Sequence, residues 1–494
     1  MRHCAAIPMG VNETERRARG AYYTPPEVAD WIVANVGAHG TTWDPAVGEG
    51  VFLLAVVRAT PIARRAFVVM NLLFGYDTDA DAVAVARAAL AEAGGLNLIE
   101  RARLAEHVVV RDTLAAPPTQ RFDVAIGNPP FLSRLRQRTA LDVELSRALK
   151  TRHGADIGPY TDAAALFWLE MLRAASRVGL VLPASTFAAR DAEGARRMAA
   201  EVHGGAAHVW TLPSFPGVGV PIVATVMGAG PSVRWRGNPP TRMDPVEFGA
   251  GATTWSPLLH HPGEPPPHSI VTAGTLGDIA DATADFRDEY YAIKGKIVED
   301  AGPMRVITTG FIDVAGHGWG RRDATIHGTR FRCPTVALDA LHPRQHSQRR
   351  PKILIATQTP IIEGVVDPTG TLLGTTPVLS VYPTRWSIWR TAAILLSPVA
   401  SAWAIQAYRG SGQSLDVIKL SAKQLLTLPL PEANVRTEAD LAEAERACVI
   451  AHTTAGRRRA NALLTMAKAT TRAYSAPDEL VPWWRRRVRE LSGS

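Results

Sequence analysis

The chain has 494 residues, 46% of them hydrophobic, and a formal net charge of +8, which together allow more than one domain of the usual ~100–200 residues and favour an anionic partner, nucleic acid or a membrane surface. No apolar run reaches the roughly 18–20 residues of a membrane span, and residues 1–20 lack the apolar core of a signal peptide. Three scattered cysteines, Cys4, Cys333 and Cys448, make neither metal-type pairs nor a disulfide framework, so no metal is expected, and the expected place is the reducing cytoplasm, at the nucleoid and not at a membrane.

In chain order, the region to Met227 alternates short β-rich runs (71–76, 108–110, 122–127, 178–182) with Ala- and Leu-rich helical stretches (80–93, 163–175). That alternation predicts an α/β domain with a parallel sheet and helices on its faces. Residues 231–270 are dense in Pro and Gly and read as a connection. Residues 271–435 mix strand-like runs (306–309, 352–356, 377–381) with loops, a mixed α+β pattern. Residues 436–494 read as a helical, basic tail containing Arg457-Arg458-Arg459 and Trp483-Trp484-Arg485-Arg486-Arg487. The expected domains are therefore 1–230, 271–435 and the tail.

Three strand ends in the first domain carry candidate binding groups. The run Trp43-Asp44-Pro45-Ala46-Val47-Gly48-Glu49-Gly50 closes a short strand and opens a helix. Glycines in such a turn let a ligand approach the backbone and present N–H groups to an anion at the helix N-terminus. Asp77, ending Gly75-Tyr76-Asp77, suits ribose hydroxyls, whereas Asp79 suits a helix cap. Asp112, after Val108-Val109-Val110-Arg111, suits an adenine amino group as acceptor. Each acid alone is better explained as a solvated loop residue; three acidic strand ends in order after a glycine turn are much less easily explained so.

The most informative run is Phe122 to Phe131, an apolar strand closing on Asn128-Pro129-Pro130-Phe131. Two prolines stiffen the turn and remove two N–H donors. What remains are acceptors, the Asn128 side-chain oxygen and the Pro129 carbonyl, beside an aromatic face. Two acceptors that hold both hydrogens of an aromatic amino group localise its delocalised lone pair, which makes the nitrogen a nucleophile. Phe131 is the stacking face for the base. Phe215 is the candidate second face, with a loop-packing aromatic as the competing reading.

Together these residues resemble the gamma-class N6-adenine DNA methyltransferases of restriction–modification systems, with the cofactor motifs first, the tetrapeptide next and a recognition region last. The resemblance implies a Rossmann-like S-adenosylmethionine-dependent methyltransferase domain, a mixed α+β target-recognition domain and the helical tail. It implies that Tyr23, Thr24 and Pro25, in Gly20-Ala21-Tyr22-Tyr23-Thr24-Pro25-Pro26, help to enclose the methionine part of S-adenosyl-L-methionine. Asp44, Pro45, Ala46, Gly48, Glu49, Gly50, Asp77, Asp112 and Asn128 complete the expected cofactor set. Asn128, Pro129, Pro130 and Phe131 carry the expected catalysis on an adenine flipped out of double-stranded DNA. Phe131 stands where many members of the family have Tyr, and Glu49 stands where a small residue is common.

Basic residues supply the expected DNA contacts: Arg134 and Arg136 (with Arg138) after the catalytic turn, then Arg321, Arg322, Arg349, Arg350 and Lys352 in the recognition region. A solvated face explains any one of them equally well, and Trp483 and Trp484 more often pack than bind. Expected partners beyond DNA are a cognate restriction endonuclease or other defence subunits. Carbon-5 cytosine methylation is excluded, because none of the cysteines follows a proline. The remaining alternatives are a DNA-recognition subunit without catalysis, or amino-methylation of RNA, protein or cytosine N4.

Overall fold

Short apolar runs and Ala-rich helices at the N-terminal end build one nine-stranded sheet in the order β3-β2-β1-β4-β5-β7-β6-β8-β9. The computed structural model describes residues 24–131, 143–158, 161–212, 219–247, 252–270, 272–284 and 287–489. The chain divides into two compact units, Met1–His260 and His261–Ser494.

In the first unit, β1 (Thr42–Asp44), β2 (Leu73–Asp77), β3 (Val108–Val110), β4 (Phe122–Gly127) and β5 (Ala175–Pro183) are parallel. β7 (Ile222–Met227) is inserted antiparallel between β5 and β6 (Ala206–Thr211). Helices α1 (Pro26–Val36), α2 (Val51–Ala59), α3 (Arg65–Asn71), α4 (Ala80–Gly94) and α5 (Leu98–His107) alternate with the first strands. α6 (Val143–His153), α7 (Ala163–Ala174) and α8 (Glu193–His203) follow. Buried strands read as continuous apolar runs because both faces are covered. β4 is buried at five of its six positions, and the core joins Ile32 and Val33 of α1 to Val124, Ile126 and Val181.

Helix ends follow local chemistry. Asp79 caps α4, accepting from Asp81 N–H at 3.0 Å and Ala82 N–H at 3.3 Å, and Gly95 ends it at φ +68°. Asn97 and Glu100 form a capping box at the start of α5. Pro26 opens α1, where a missing N–H costs nothing.

The stretch expected to be a connection differs from that reading. Within 231–270, β8 (Ser232–Arg236) pairs parallel with β6, and β9 (Thr241–Val246) closes the sheet edge. Residues 252–260 then pack inside the first unit: Trp255 is fully buried against Trp168 and Phe187. The boundary therefore falls at 260, because the Pro-rich composition hid an edge hairpin. Pro245 sits on that edge strand, a position that needs no ladder donor on its outer side.

Among the described residues the second unit has two short two-stranded sheets and two four-stranded ones. One is β10 (Ala280–Ala284), β21 (Val378–Pro383), β18 (Lys352–Ala356) and β19 (Gly364–Asp367), antiparallel throughout. The other is β11 (Val298–Glu299), β17 (Pro334–Val336), β12 (Met304–Ile307) and β20 (Leu372–Gly374). The basic tail is no appendage. α14 (Val435–Thr453) and α15 (Gly456–Ala473) pack side by side, and their Leu441, Cys448, Leu463 and Met466 share one core with Ile353, Val381 and Trp484. Among the described residues no single helix is long and apolar enough to cross a membrane. The apolar pair α11 (Ile388–Leu395) and α12 (Pro398–Tyr408) lies in that same core.

Candidate active site

Strand order reverses between β1 and β4. In an open parallel sheet this reversal leaves a crevice beyond the carboxyl ends of the two strands, because the following chain departs to opposite sides. Asp44 ends β1 and Asn128 follows β4, so the two most informative sequence runs meet at that crevice.

The turn after β1 is built by a few defined bonds. Val47 N–H donates to the Tyr76 carbonyl at 2.8 Å. Gly48, at φ +50°, donates its N–H to Asp77 Oδ2 at 2.8 Å. A Cβ at Gly48 would meet nothing within 4 Å, so the turn faces open space, whereas Gly50, at φ +91°, lies against Ala86 of α4. Asp77 spends its other oxygen on Asp79 N–H at 3.0 Å. The carboxyl of Asp77 thus sits at the end of β2, fixed in place, as the sequence led us to expect. Glu49 is exposed beside it.

Asp44 is wholly buried. Its Oδ1 accepts the Ala46 N–H at 3.1 Å, and its Oδ2 has no hydrogen-bond partner among the described residues. Burial lifts this carboxyl to about 8; the Ala46 N–H pulls the other way, and the charge of Asp77 adds to the rise. Gly127 makes room for it, since a Cβ there would stand 2.8 Å from Asp44 Oδ1.

Asn128 extends from β4 towards α1. Its Nδ2 donates to Thr24 Oγ1 at 2.9 Å, and Thr24 itself is buried. Asn128 Oδ1 is buried with no partner among the described residues. The donor end of the amide is thus used by the protein, and an acceptor remains for something else. Pro129 is buried, Pro130 half-buried, and Phe131 packs half-buried on the core of the first unit.

Asp112 is exposed at the end of β3 and accepts Leu114 N–H at 2.8 Å and Ala115 N–H at 3.1 Å. Thr113, which sequence reasoning missed, is buried and donates its hydroxyl to the Pro45 carbonyl at 2.7 Å. It ties the β3 end to the β1 turn; a lone Thr after an Asp carries no pattern that would reveal it. Tyr23, Arg134, Arg136, Arg138 and Phe215 lie outside the described residues. A groove of about 690 Å³, lined by Asp30, His39, Arg58 and Leu72 among others, opens near the opposite ends of the strands and includes none of the site residues. Asp30 and Arg58 in its lining pair at 2.6 Å.

The basic residues of the second unit divide sharply. Lys352 is corrected: its ammonium is fully buried in an ion pair with Asp367 at 2.7 Å, out of reach of a phosphate. Arg322 is corrected as well. Its guanidinium bonds both oxygens of Asp313 (2.9 and 2.8 Å) and the carbonyls of Gly310 and Ile312. Arg321 is exposed and donates to the His317 carbonyl. Arg349 and Arg350 are exposed at the start of β18, with the Arg350 guanidinium 4.0 Å above the Tyr382 ring. Trp483 and Trp484 are buried, the packing role of the two considered.

Residues 9–202 match the model of the N-6 DNA Methylase family. No curated protein sequence matches the chain. Among solved structures, the type IIL restriction–modification enzyme MmeI in complex with DNA is similar at TM-score 0.53 and 12% identity, over 98% of this chain and 80% of that one. The DrdV–DNA complex is similar at TM-score 0.46 and 11% identity, over 96% and 70%. A type I restriction–modification methyltransferase subunit from Streptococcus thermophilus is similar at TM-score 0.34 and 20% identity, over 44% and 47%. At these identities the likeness to MmeI is one of fold.

Proposed function

We propose, from the match of residues 9–202 to the N-6 DNA Methylase model, that the chain is a site-specific DNA methyltransferase acting on the N6 amino group of adenine. The methyl donor in this reading is S-adenosyl-L-methionine, which supplies an electrophilic methyl on a sulfonium centre. The observation that carries the reading is the Asn128 amide, whose nitrogen is engaged by Thr24 while its buried oxygen has no partner among the described residues. An unsatisfied buried acceptor costs free energy, about 1–3 kcal/mol, so its retention beside an open crevice points to a ligand donor.

The residues fit the donor. The Gly48 turn faces open space, and the N-terminus of α2 suits a carboxylate. Asp77, held by Gly48 and Asp79, suits ribose hydroxyls, and Asp112 faces solvent where an adenine amino group needs an acceptor. Thr24, Pro25 and Glu49 border the methionine end in the same reading.

Asn128 Oδ1 and the Pro129 carbonyl accept the two amino hydrogens of the target base, and Phe131 supplies its stacking face. The reaction needs no covalent enzyme intermediate; the chain contributes position and fixed dipoles. In this reading the exposed Arg321, Arg349 and Arg350 of the second unit contact DNA, and Arg350, lying over the Tyr382 ring, suits a guanine edge or a phosphate. Arg134, Arg136 and Phe215 belong to the same proposal from sequence alone. A restriction–modification or defence setting, with a cognate endonuclease or other subunits as partners, belongs to the same proposal.

The test is sequencing of native DNA from a methylation-free bacterial host that expresses the chain, with Asn128→Ala as control. Methylated adenine in one short sequence, lost in the variant, is the expected result. Methylated cytosine would move the reading to N4 chemistry, and an unmarked genome would refute it.

A further inference from the structure

Asp44 is the unusual group at this site. It is a carboxyl with no exposed surface, one oxygen held by a backbone N–H and the other by nothing among the described residues. Among the described residues, no positive group acts on this carboxyl. β4 contributes Gly127, pressed against Oδ1, and the neutral amide of Asn128 follows. β2 contributes Asp77, a second negative group. The adjacent turn contributes Val47 and Gly48, and Arg111, beyond β3, lies over the Tyr76 ring at 4.7 Å instead.

Ionising a carboxyl so placed is costly unless a cation lies near. We propose that Asp44 is neutral while the crevice is empty and ionises when the sulfonium donor enters, so that this residue distinguishes the donor from its product, whose sulfur is an uncharged thioether. The inference rests on the proposed cofactor and deepens it. The proton leaves the Asp44 carboxyl for solvent; no bond of the ligand is made or broken in that step. The carboxyl's value near 8 in the empty site places the exchange within the neutral range. Contact is unnecessary, because Coulomb attraction is weakly attenuated in a buried setting. Once the methyl has left, sulfur carries no charge, Asp44 regains its proton and the product loses that attraction. Asp44 is on this account a positioning residue whose signature is a proton count.

Binding calorimetry at pH 7.0, in two buffers of different ionisation enthalpy, reads that count directly. The probes are S-adenosylmethionine and S-adenosylhomocysteine, on wild type and on Asp44→Asn, which keeps the shape and the acceptor for Ala46. We expect wild type to release close to one proton per donor bound and less than half as much per product bound, with the difference absent in Asp44→Asn. Donor binding without release, equal release with both ligands, or release that persists in the variant would each overturn the inference. Failure of wild type to bind the donor at all would instead defeat the cofactor assignment. If Asp44→Asn does not fold, the donor–product difference in wild type decides.

Discussion

The Asn128 amide nitrogen donates to the Thr24 hydroxyl at 2.9 Å, joining the end of β4 to the residue two before α1. This bond decides which end of the amide is left for a ligand. Thr24→Val removes the acceptor and lets the amide rotate, so turnover should fall on the order of 10–100-fold, short of the loss of about 10²–10³ for removing a group that contacts the reacting atoms. Thr24→Ser keeps the hydroxyl and should restore most of the rate. Single-turnover kinetics make the comparison, and a Val variant as fast as wild type would remove Thr24 from this role.

Gly127 is a steric requirement of the same site. An Ala methyl there would stand 2.8 Å from Asp44 Oδ1 and 3.4 Å from Pro45 Cδ. Gly127→Ala should destabilise the protein by about 1–3 kcal/mol through overpacking. Combined with Asp44→Ala, which vacates the space, it should cost less than the sum of the two single changes. Strictly additive melting data would show that the two positions do not press on each other.

The first unit was legible because its signals are local. The runs 108–110 and 122–127 are strands at those bounds, and Ala80 and Ala163 begin their helices as expected. Asp77 against Asp79 was separable by position relative to the strand end. Contacts distant in sequence stayed hidden: Thr24 on Asn128, Thr113 on Pro45, and Gly127 beneath Asp44 have no periodicity to reveal them. In the second unit a basic side chain reads the same whether it faces solvent or an acid. Lys352 and Arg322 look like Arg349 and Arg350 until Asp367 and Asp313 are placed.

Lys352 therefore serves as a control for the DNA-contact proposal. Its ion pair with Asp367 is fully buried, and Asp367 also accepts the N–H groups of Gly370, Thr371 and Leu372. Lys352→Ala should lower stability by about 3–5 kcal/mol, the cost of stranding a buried charge. Below its melting temperature it should leave the salt dependence of DNA binding unchanged. Arg350→Ala should do the reverse: little change in melting and a shallower salt slope, by about one phosphate if the contact is electrostatic. A reduced slope in Lys352→Ala alone would contradict this division.

Glu170 on α7 predicts an acid limit to stability. Burial raises its carboxyl, but hydrogen bonds from His153 and Arg152 outweigh that, and the group is held below its ordinary value of 4.5. Both partners belong to α6: His153 Nε2 lies 3.0 Å from Oε1, and Arg152 also donates to the Leu114 carbonyl at 3.1 Å, next to the turn that Asp112 caps. A depressed carboxylate stabilises the fold above its unfolded value, and that stability drains away as pH falls below about 4.5 through the folded value. Glu170→Gln should cost about 1–3 kcal/mol near neutrality, when charged hydrogen bonds become neutral ones. Its melting temperature should then fall less steeply between pH 5 and 3 than that of wild type. Because Arg152 also holds the Leu114 turn, the variant should bind the donor more weakly as well. Parallel acid limbs in the two proteins would show that Glu170 is not the titrating support.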